Sequence, residues 1–123
     1  FILNQIISNA IKYTPDDGQI KISLHHDALG VWLDIHDSGI GIPAADLPRI
    51  FDKGFTGQNG RLSNRNSTGL GLYLAKELSL KLGHELYVES TVDTGTTFKI
   101  LFPFLSYYND PDSDQLFGKN TKS

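Results

Sequence analysis

The sequence predicts a single domain of the α+β class. Two segments repeat apolar residues at helical spacing, and two pairs of segments alternate apolar and polar residues as β-strands do. The chain has 123 residues, of which 39% are hydrophobic. A chain of this size can bury one core but not two, so we expect one globular domain.

The composition argues against several classes of protein. The formal net charge is -3, and acidic residues outnumber basic ones, so the chain lacks the cationic surface that nucleic acids require. We therefore expect no nucleic-acid partner. Without cysteine there is no disulfide framework and no thiolate metal site. No apolar run approaches the roughly 18 residues of a membrane span.

The first segment is predicted to be an amphipathic helix. Apolar residues recur at helical spacing across residues 2–11, and residues 14–18 carry Pro, Asp and Gly in turn positions that should end the helix. The polar face carries Gln5, Asn9, Lys12 and Tyr13. The helix starts at Phe1 without a cap, so we expect its first turn to lie upstream and the chain to be a fragment.

The strands are predicted as two hairpins. The first hairpin joins residues 20–25 to residues 31–35, and the second joins residues 86–89 to residues 98–102. Between the hairpins, residues 43–51 are expected to form a short helical segment, because proline is favoured at the first position of a helix.

A second long helix is predicted after a polar connection. Residues 53–68 are too long and too polar for a plain connection, which indicates a lid or a disordered segment. Gly69-Leu70-Gly71-Leu72 then opens a helical pattern that ends at Gly83. A helix start presents free N–H groups and the positive end of its dipole, which suits phosphate. Residues 106–123 are polar, and we expect a mobile tail.

The strongest functional signal is Asp37-Ser38-Gly39-Ile40-Gly41-Ile42, at the end of the second predicted strand. A carboxylate can accept a hydrogen bond from a base, and bare glycine backbone lets a flat ligand approach. Asn9 offers an uncharged oxygen that suits Mg²⁺ held mainly by water and phosphates. Taken singly, Lys12 reads as a residue of a solvated helix face and Tyr13 as half-buried packing. Their combination favours a nucleotide site.

Five motifs, in order and spacing, resemble the N, G1, F, G2 and final boxes of bacterial sensor histidine kinases. They are Asn9-Ala10-Ile11-Lys12-Tyr13, Asp37-Ser38-Gly39-Ile40-Gly41-Ile42, Phe51-Asp52-Lys53-Gly54-Phe55, Gly69-Leu70-Gly71-Leu72 and Gly95-Thr96-Thr97-Phe98. The resemblance implies an ATP-binding catalytic domain of the Bergerat, or GHKL, type. Its fold would be a two-layer α/β sandwich with helices on one face of a mixed sheet. A strand expected ahead of the first helix is missing from the sequence.

The resemblance also implies roles for individual residues. Asp37 would accept from the adenine amino group, Asn9 would hold Mg²⁺, and Lys12 would contact a phosphate. Tyr13 would line the adenine pocket, and Thr96 would reach the base through water. Residues 51–68 would be the ATP lid, in which Arg61 or Arg65 is either a γ-phosphate partner or a solvated loop charge. The other implied nucleotide-binding residues are Gly39, Gly41, Ile42, Phe55, Thr68, Gly69, Leu70, Gly71 and Leu72.

Two departures from the family pattern limit this interpretation. Many family members carry a second Asn at the position of Gln5, and the gyrase, Hsp90 and MutL ATPases carry a general-base Glu there. Glutamine cannot serve as a carboxylate base, so self-contained ATP hydrolysis is disfavoured. None of the four histidines lies in the context of a phosphate acceptor. The acceptor histidine is expected on a separate dimerisation domain, and no catalytic residue is expected in this chain.

A narrower resemblance extends the expectation to partners. Residues 53–61 and 67–76 are similar to small intramembrane-sensing kinases of Gram-positive bacteria, which work with peptide-antibiotic transporters. The domain would then lie on the cytoplasmic side of a membrane-anchored dimer that also engages a response regulator. Two rival functions stay open: an ATP-hydrolysing GHKL clamp, and a degenerate nucleotide-binding interaction module. The expected boundaries are residues 1–105 for the catalytic domain and 106–123 for the tail.

Overall fold

The computed structural model describes residues 1–55 and 70–105 of the chain. Within them a four-stranded sheet of order β1-β2-β4-β3 carries two α-helices. The elements are α1 (Ile2–Tyr13), β1 (Ile20–His26), β2 (Gly30–Asp37), a 3-10 helix (Leu47–Arg49), α2 (Gly71–Lys81), β3 (Glu85–Thr91) and β4 (Gly95–Pro103). Among these described elements, no helix is long and apolar enough to cross a membrane.

The predicted α+β class and the two-layer arrangement are confirmed, whereas the sheet of the described residues is antiparallel rather than mixed. Each hairpin pairs its own two strands antiparallel, and the inner strands β2 and β4 also run antiparallel. A parallel pair requires a crossover connection between neighbouring strands. None of these four strands is paired with a neighbour in that way.

The core lies between the helices and one face of the sheet. Both helices contribute side chains to the core, and these side chains pack against residues of β2, β3 and β4. Its buried members are Ile6, Ala10, Ile35, Ile50, Ala75, Leu86, Phe98 and Ile100. Not every residue on the apolar face of α1 is buried against the sheet, since Ile11 remains 61% exposed. This packing fixes the ends of α1 and β2 relative to each other.

Among the four described strands, β1 lies at one edge of the sheet. All of its residues are exposed, including Ile22 and Leu24, although both alternate onto the face that carries the core. In the β1–β2 ladder, the Ser38 amide donates to the Gln19 carbonyl at 3.0 Å. Since bonded pairs alternate along an antiparallel ladder, the even-numbered residues of β1 direct their backbone groups away from β2.

Two predicted boundaries differ from the structure. The helical segment expected over residues 43–51 shrinks to the 3-10 turn Leu47–Arg49. Pro48 lies inside that segment, lacks an N–H and would clash with the carbonyl one helical turn earlier, so a longer helix is interrupted. The second long helix begins at Gly71 rather than Gly69, and Gly83 follows its end with φ +78°.

Candidate nucleotide-binding site

Asp37 is the last residue of β2, and it is 2% exposed. Its Oδ1 accepts a hydrogen bond from the Gly39 amide at 2.9 Å, and the Thr96 amide also donates to the carboxylate. Burial raises the pKa of Asp37, while these two amides and the nearby His36 pull that pKa in the opposite direction. The carboxylate is therefore held in one orientation as a buried hydrogen-bond acceptor.

The turn after Asp37 is pinned to the end of α1. The Ile40 amide donates to the Tyr13 carbonyl at 3.2 Å, and a Cβ on Gly39 would stand 2.2 Å from that same oxygen. Gly41 has φ +78°, a conformation that favours glycine. Both glycines are thus required by close contact with the protein's own backbone. The sequence had suggested a different reason for them, namely the approach of a ligand.

The other side of the turn is held by the second hairpin. Ser90 Oγ accepts from the Ile42 amide at 2.8 Å, lies 2.9 Å from the Gly95 carbonyl and lies 2.8 Å from Thr96 Oγ1. Sequence reasoning missed Ser90. A signal was present, because Ser90 is a polar residue at the position where the inward-facing alternation of Leu86 and Val88 would place an apolar one.

The polar face of α1 meets the start of α2. Asn9 is half-buried one turn before Tyr13, whose carbonyl contacts the glycine turn. One turn earlier, Gln5 Oε1 occupies the space beside Gly71, where a Cβ would stand 2.0 Å from it. The polar face of α1 therefore runs from the start of α2, which lies beside Gln5, past Asn9 to the Asp37 turn, which lies beside Tyr13.

The remaining predicted residues divide into two groups. Lys12, Tyr13, Ile42, Phe55, Gly71 and Leu72 are half-buried, Leu70 is 38% exposed, and Thr96 is buried. The Arg49 guanidinium lies 4.6 Å from the centre of the Phe55 ring, which holds the start of the predicted lid. Arg61, Arg65, Thr68 and Gly69 lie outside the described residues, as does most of the predicted lid.

The donor set fits a metal ion that arrives with a nucleotide. Within residues 1–55 and 70–105, no three His, Asp or Glu side chains are grouped so that they could hold a metal. Asn9 offers a single neutral amide oxygen. Mg²⁺ commonly takes one or two protein oxygens and completes its shell with water and phosphates. The amide oxygen of Asn9 is therefore compatible with a magnesium ion that is bound mainly by a nucleotide.

Comparison with known proteins decides the family. Residues 1–106 match the family described as histidine kinase-, DNA gyrase B-, and HSP90-like ATPase. The chain belongs to this family. Within the family, the chain corresponds to the ATPase-type catalytic domain of sensor histidine kinases, as the five motifs had predicted. Membership of this ATPase family implies nucleotide binding.

The curated relatives of this ATPase-type domain are named sensor kinases. The sensor histidine kinase GraS of Staphylococcus epidermidis is 43% identical over 102 residues, which cover 83% of this chain and 29% of the relative. The sensor protein BceS of Halalkalibacterium halodurans is 45% identical over 103 residues, covering 84% of this chain and 30% of the relative. The chain therefore spans less than a third of either relative.

Solved structures of sensor kinases share the fold. The mycobacterial sensor histidine kinase MprB matches with a TM-score of 0.70 and 29% identity, covering 83% of this chain and 69% of that chain. Full-length ShkA in complex with AMPPNP matches with a TM-score of 0.67 and 26% identity, covering 84% of this chain and 20% of that chain. The histidine-kinase ATPase fold predicted from the motifs is confirmed.

Proposed function

We propose that this chain binds Mg²⁺-ATP and presents the γ-phosphate to a histidine on a separate dimerisation domain of the same protein. The observation that carries the proposal is Asp37, a buried carboxylate oriented by two amides at the end of β2. Such a carboxylate can accept from an exocyclic amino group and rejects a group that can only accept. Asp37 therefore reads the adenine amino group, and Thr96 beside it completes the recognition of the base.

The polar face of α1 supplies the phosphate end of the site. Asn9 would hold Mg²⁺, which supplies neutralisation of phosphate charge when it is bound. Lys12 contacts a phosphate, and Tyr13 lines the base pocket beside the glycine turn. The start of α2 at Gly71, which lies beside Gln5 on α1, adds backbone N–H groups. Phosphoryl transfer mainly needs positioning and charge stabilisation from protein, and these residues provide both.

The phosphate acceptor lies outside this chain. His25 Nε2 lies 3.3 Å from Asp34, and its ring stacks on Trp32. His36 Nδ1 lies 2.7 Å from Thr97 Oγ1, and His84 packs against Phe102 with ring centres 4.6 Å apart. These three histidines, like His26, lie on or next to strands of the sheet and not on a dimerisation helix, which supports an acceptor histidine elsewhere in the protein.

The full-length protein is a membrane-anchored sensor kinase in this proposal. Its partners are its own dimerisation and histidine phosphotransfer domain and a response regulator, and the resemblance of residues 53–61 adds a peptide-antibiotic ABC transporter. Support comes from the relatives, which are named sensor kinases and are more than three times as long as the matched region. The proposed catalytic domain ends at about residue 105, and the polar residues 106–123 are not part of it.

Calorimetric titration of the 123-residue chain with Mg²⁺-ATP tests the proposal. We expect saturable binding at one site, together with phosphate release no faster than background, because Gln5 cannot act as a base. Absence of binding by a chain that circular dichroism shows to be folded would overturn the nucleotide site. Rapid steady-state phosphate release would favour the ATP-hydrolysing clamp instead. Equal binding of Mg²⁺-ATP and of Mg²⁺-tripolyphosphate would contradict base recognition by Asp37.

A further inference from the structure

Three side chains form a polar row across the end of the sheet. Thr96 on β4 lies directly opposite Asp37 on β2 and directly opposite Ser90 on β3. Directly opposed residues project from the same face of a sheet, so all three point to the face that the helices cover. Asp37 and Thr96 are buried, at 2% and 4% exposure. Ser90 is thus joined to the proposed base-recognition residues without being one of them.

The hydrogen bonds of Ser90 determine the direction of the bond to Thr96. A serine hydroxyl has one proton and two lone pairs. The Ile42 amide can only donate to it, at 2.8 Å, and the Gly95 carbonyl can only accept from it, at 2.9 Å. The single Ser90 proton is therefore committed to Gly95. The contact of 2.8 Å with Thr96 Oγ1 is then a hydrogen bond that Thr96 donates.

The donor capacity of Thr96 is consequently used within the protein. A threonine hydroxyl that has given its proton to Ser90 retains only lone pairs for any other partner. The Asp37 carboxylate beside it is also an acceptor. Both side chains of the proposed base pocket therefore accept, and neither can donate to the 6-oxo group of guanine or hypoxanthine. A water that joins Thr96 and Asp37 to the base uses its two protons on these two acceptors, so it too can only accept from the base. A polar group left unpaired on either side of such a contact weakens binding strongly.

The geometry points to Ser90 as a positioning residue that sets the base specificity of the site. By holding the Thr96 proton, Ser90 makes the pocket selective for a purine that carries an amino group at position 6. Through the Ile42 amide, the same oxygen also fixes the glycine turn to this row. The inference rests on the proposed nucleotide site and adds to it the residue that determines the direction of its hydrogen bonds.

The test compares ATP with ITP, which differ in the amino or oxo group at position 6. The measured quantity is the ratio of the Kd for Mg²⁺-ITP to the Kd for Mg²⁺-ATP, obtained by competition against a fluorescent ATP analogue. Ser90→Ala frees the Thr96 hydroxyl to donate to an oxo group, so we expect the ratio to fall about three- to tenfold. Ser90→Thr keeps the hydroxyl and should keep the wild-type ratio.

A double-mutant cycle separates this role from general support of the fold. Thr96→Val removes the hydroxyl that donates to Ser90. In this background Ser90→Ala should therefore no longer change the ratio of the two Kd values. The inference is overturned if Ser90→Ala weakens ATP and ITP by the same factor, or if its effect on the ratio persists in the Thr96→Val background. Should Ser90→Ala unfold, Ser90→Cys, whose thiol is a weak hydrogen-bonding group, takes its place in the same measurements.

The wild-type titration distinguishes failure of the proposed nucleotide site from failure of the inference about Ser90. A folded wild-type chain that binds no ATP overturns the proposed function and this inference with it. A wild-type chain that binds ATP, with an unchanged ratio in Ser90→Ala, overturns the inference alone. Amide exchange in the nucleotide-free chain gives an independent readout, since Ser90→Ala removes the acceptor of the Ile42 amide. We expect exchange at Ile42 to accelerate in that variant and to stay slow in Ser90→Thr.

Discussion

Gly41 lies so close to Thr91 that a Cβ on Gly41 would stand 2.2 Å from the Thr91 carbonyl oxygen. The neighbouring Ile40 carbonyl accepts from the Asp93 amide at 2.8 Å, which ties the same turn to the hairpin between β3 and β4. The turn that carries Asp37 is therefore held by backbone contacts with a distant part of the chain.

Substitution of two glycines should separate crowding from backbone strain. Gly41 and Gly54 have φ of +78° and +82°, but a Cβ on Gly54 would meet nothing within 4 Å. We expect Gly54→Ala to lower the free energy of unfolding by about 1 kcal/mol through strain alone. Gly41→Ala should lower it by about 1–3 kcal/mol more, because the backbone must move. Urea unfolding measures both, and equal losses would show that the contact with Thr91 is unimportant.

Removal of the charge of Asp37 should weaken nucleotide binding. Asp37→Asn replaces a carboxylate that accepts with an amide that also presents two donors, so we expect the affinity for Mg²⁺-ATP to fall about 10- to 100-fold. Asp34→Asn is the matched control, since Asp34 lies on the same strand and faces the opposite side of the sheet. Isothermal titration checks the pair. A similar loss in both variants, or none in Asp37→Asn, would place the base elsewhere.

The buried state of Asp37 should also make stability depend on pH. Burial raises the pKa of this carboxyl above its usual value of 3.8, so in the acid range the folded state holds the proton when the unfolded state has lost it. Its contribution to stability is complete below pH 3.8 and decreases as pH rises through the folded-state pKa.

The comparison with Asp37→Asn isolates that contribution. The free energy of unfolding of the wild type minus that of Asp37→Asn should become less positive or more negative from acid to neutral pH, and then level off. Chemical unfolding at several pH values measures it. A difference that grows with rising pH would mean that the amides of Gly39 and Thr96 outweigh burial.

Lys76 should contribute to the packing of α2 on the sheet. Its Nζ donates to the Leu86 carbonyl at 3.1 Å and lies 5.0 Å from the centre of the Phe51 ring. Lys76→Met keeps the length of the side chain and loses both contacts, so we expect a destabilisation of about 1–2 kcal/mol. Lys81→Met, at the exposed end of the same helix, should cost about 0.5 kcal/mol. Thermal unfolding in which Lys81→Met costs as much as Lys76→Met would contradict a specific role for Lys76.

Local patterns in the sequence were sufficient to predict most of the elements. Helical spacing predicted α1, alternation predicted both hairpins, and the order and spacing of five motifs predicted the family. Each of these patterns involves only residues that are close in sequence, and it recurs along the whole element. Asp37 could be singled out for the same reason, since a carboxylate followed by two glycines stands out at the end of an apolar strand.

What could not be predicted depends on contacts between distant segments. The role of Ser90 follows from its position opposite Thr96 and beside Ile42, which are joined only by the folded sheet. The reason for Gly39 is the Tyr13 carbonyl, a contact across 26 residues that no local pattern reveals. The helical segment expected over residues 43–51 was predicted too long, because Pro48 interrupts a longer helix. Two signals in the sequence do point to these features: a polar residue at an apolar position of an alternating strand, and a second proline within a predicted helical segment.

The position of β1 at the edge of the described sheet affects the order in which parts of the domain unfold. Among the described strands, β1 is bonded to β2 alone, and its side chains bury little surface. Local unfolding favours segments with few buried apolar contacts. β1 should therefore detach first, while β2 stays bonded to β4 through the register that sets Asp37 against Thr96. The pairing of Asp37 with Thr96, which joins the two inner strands, is therefore protected from fraying of β1.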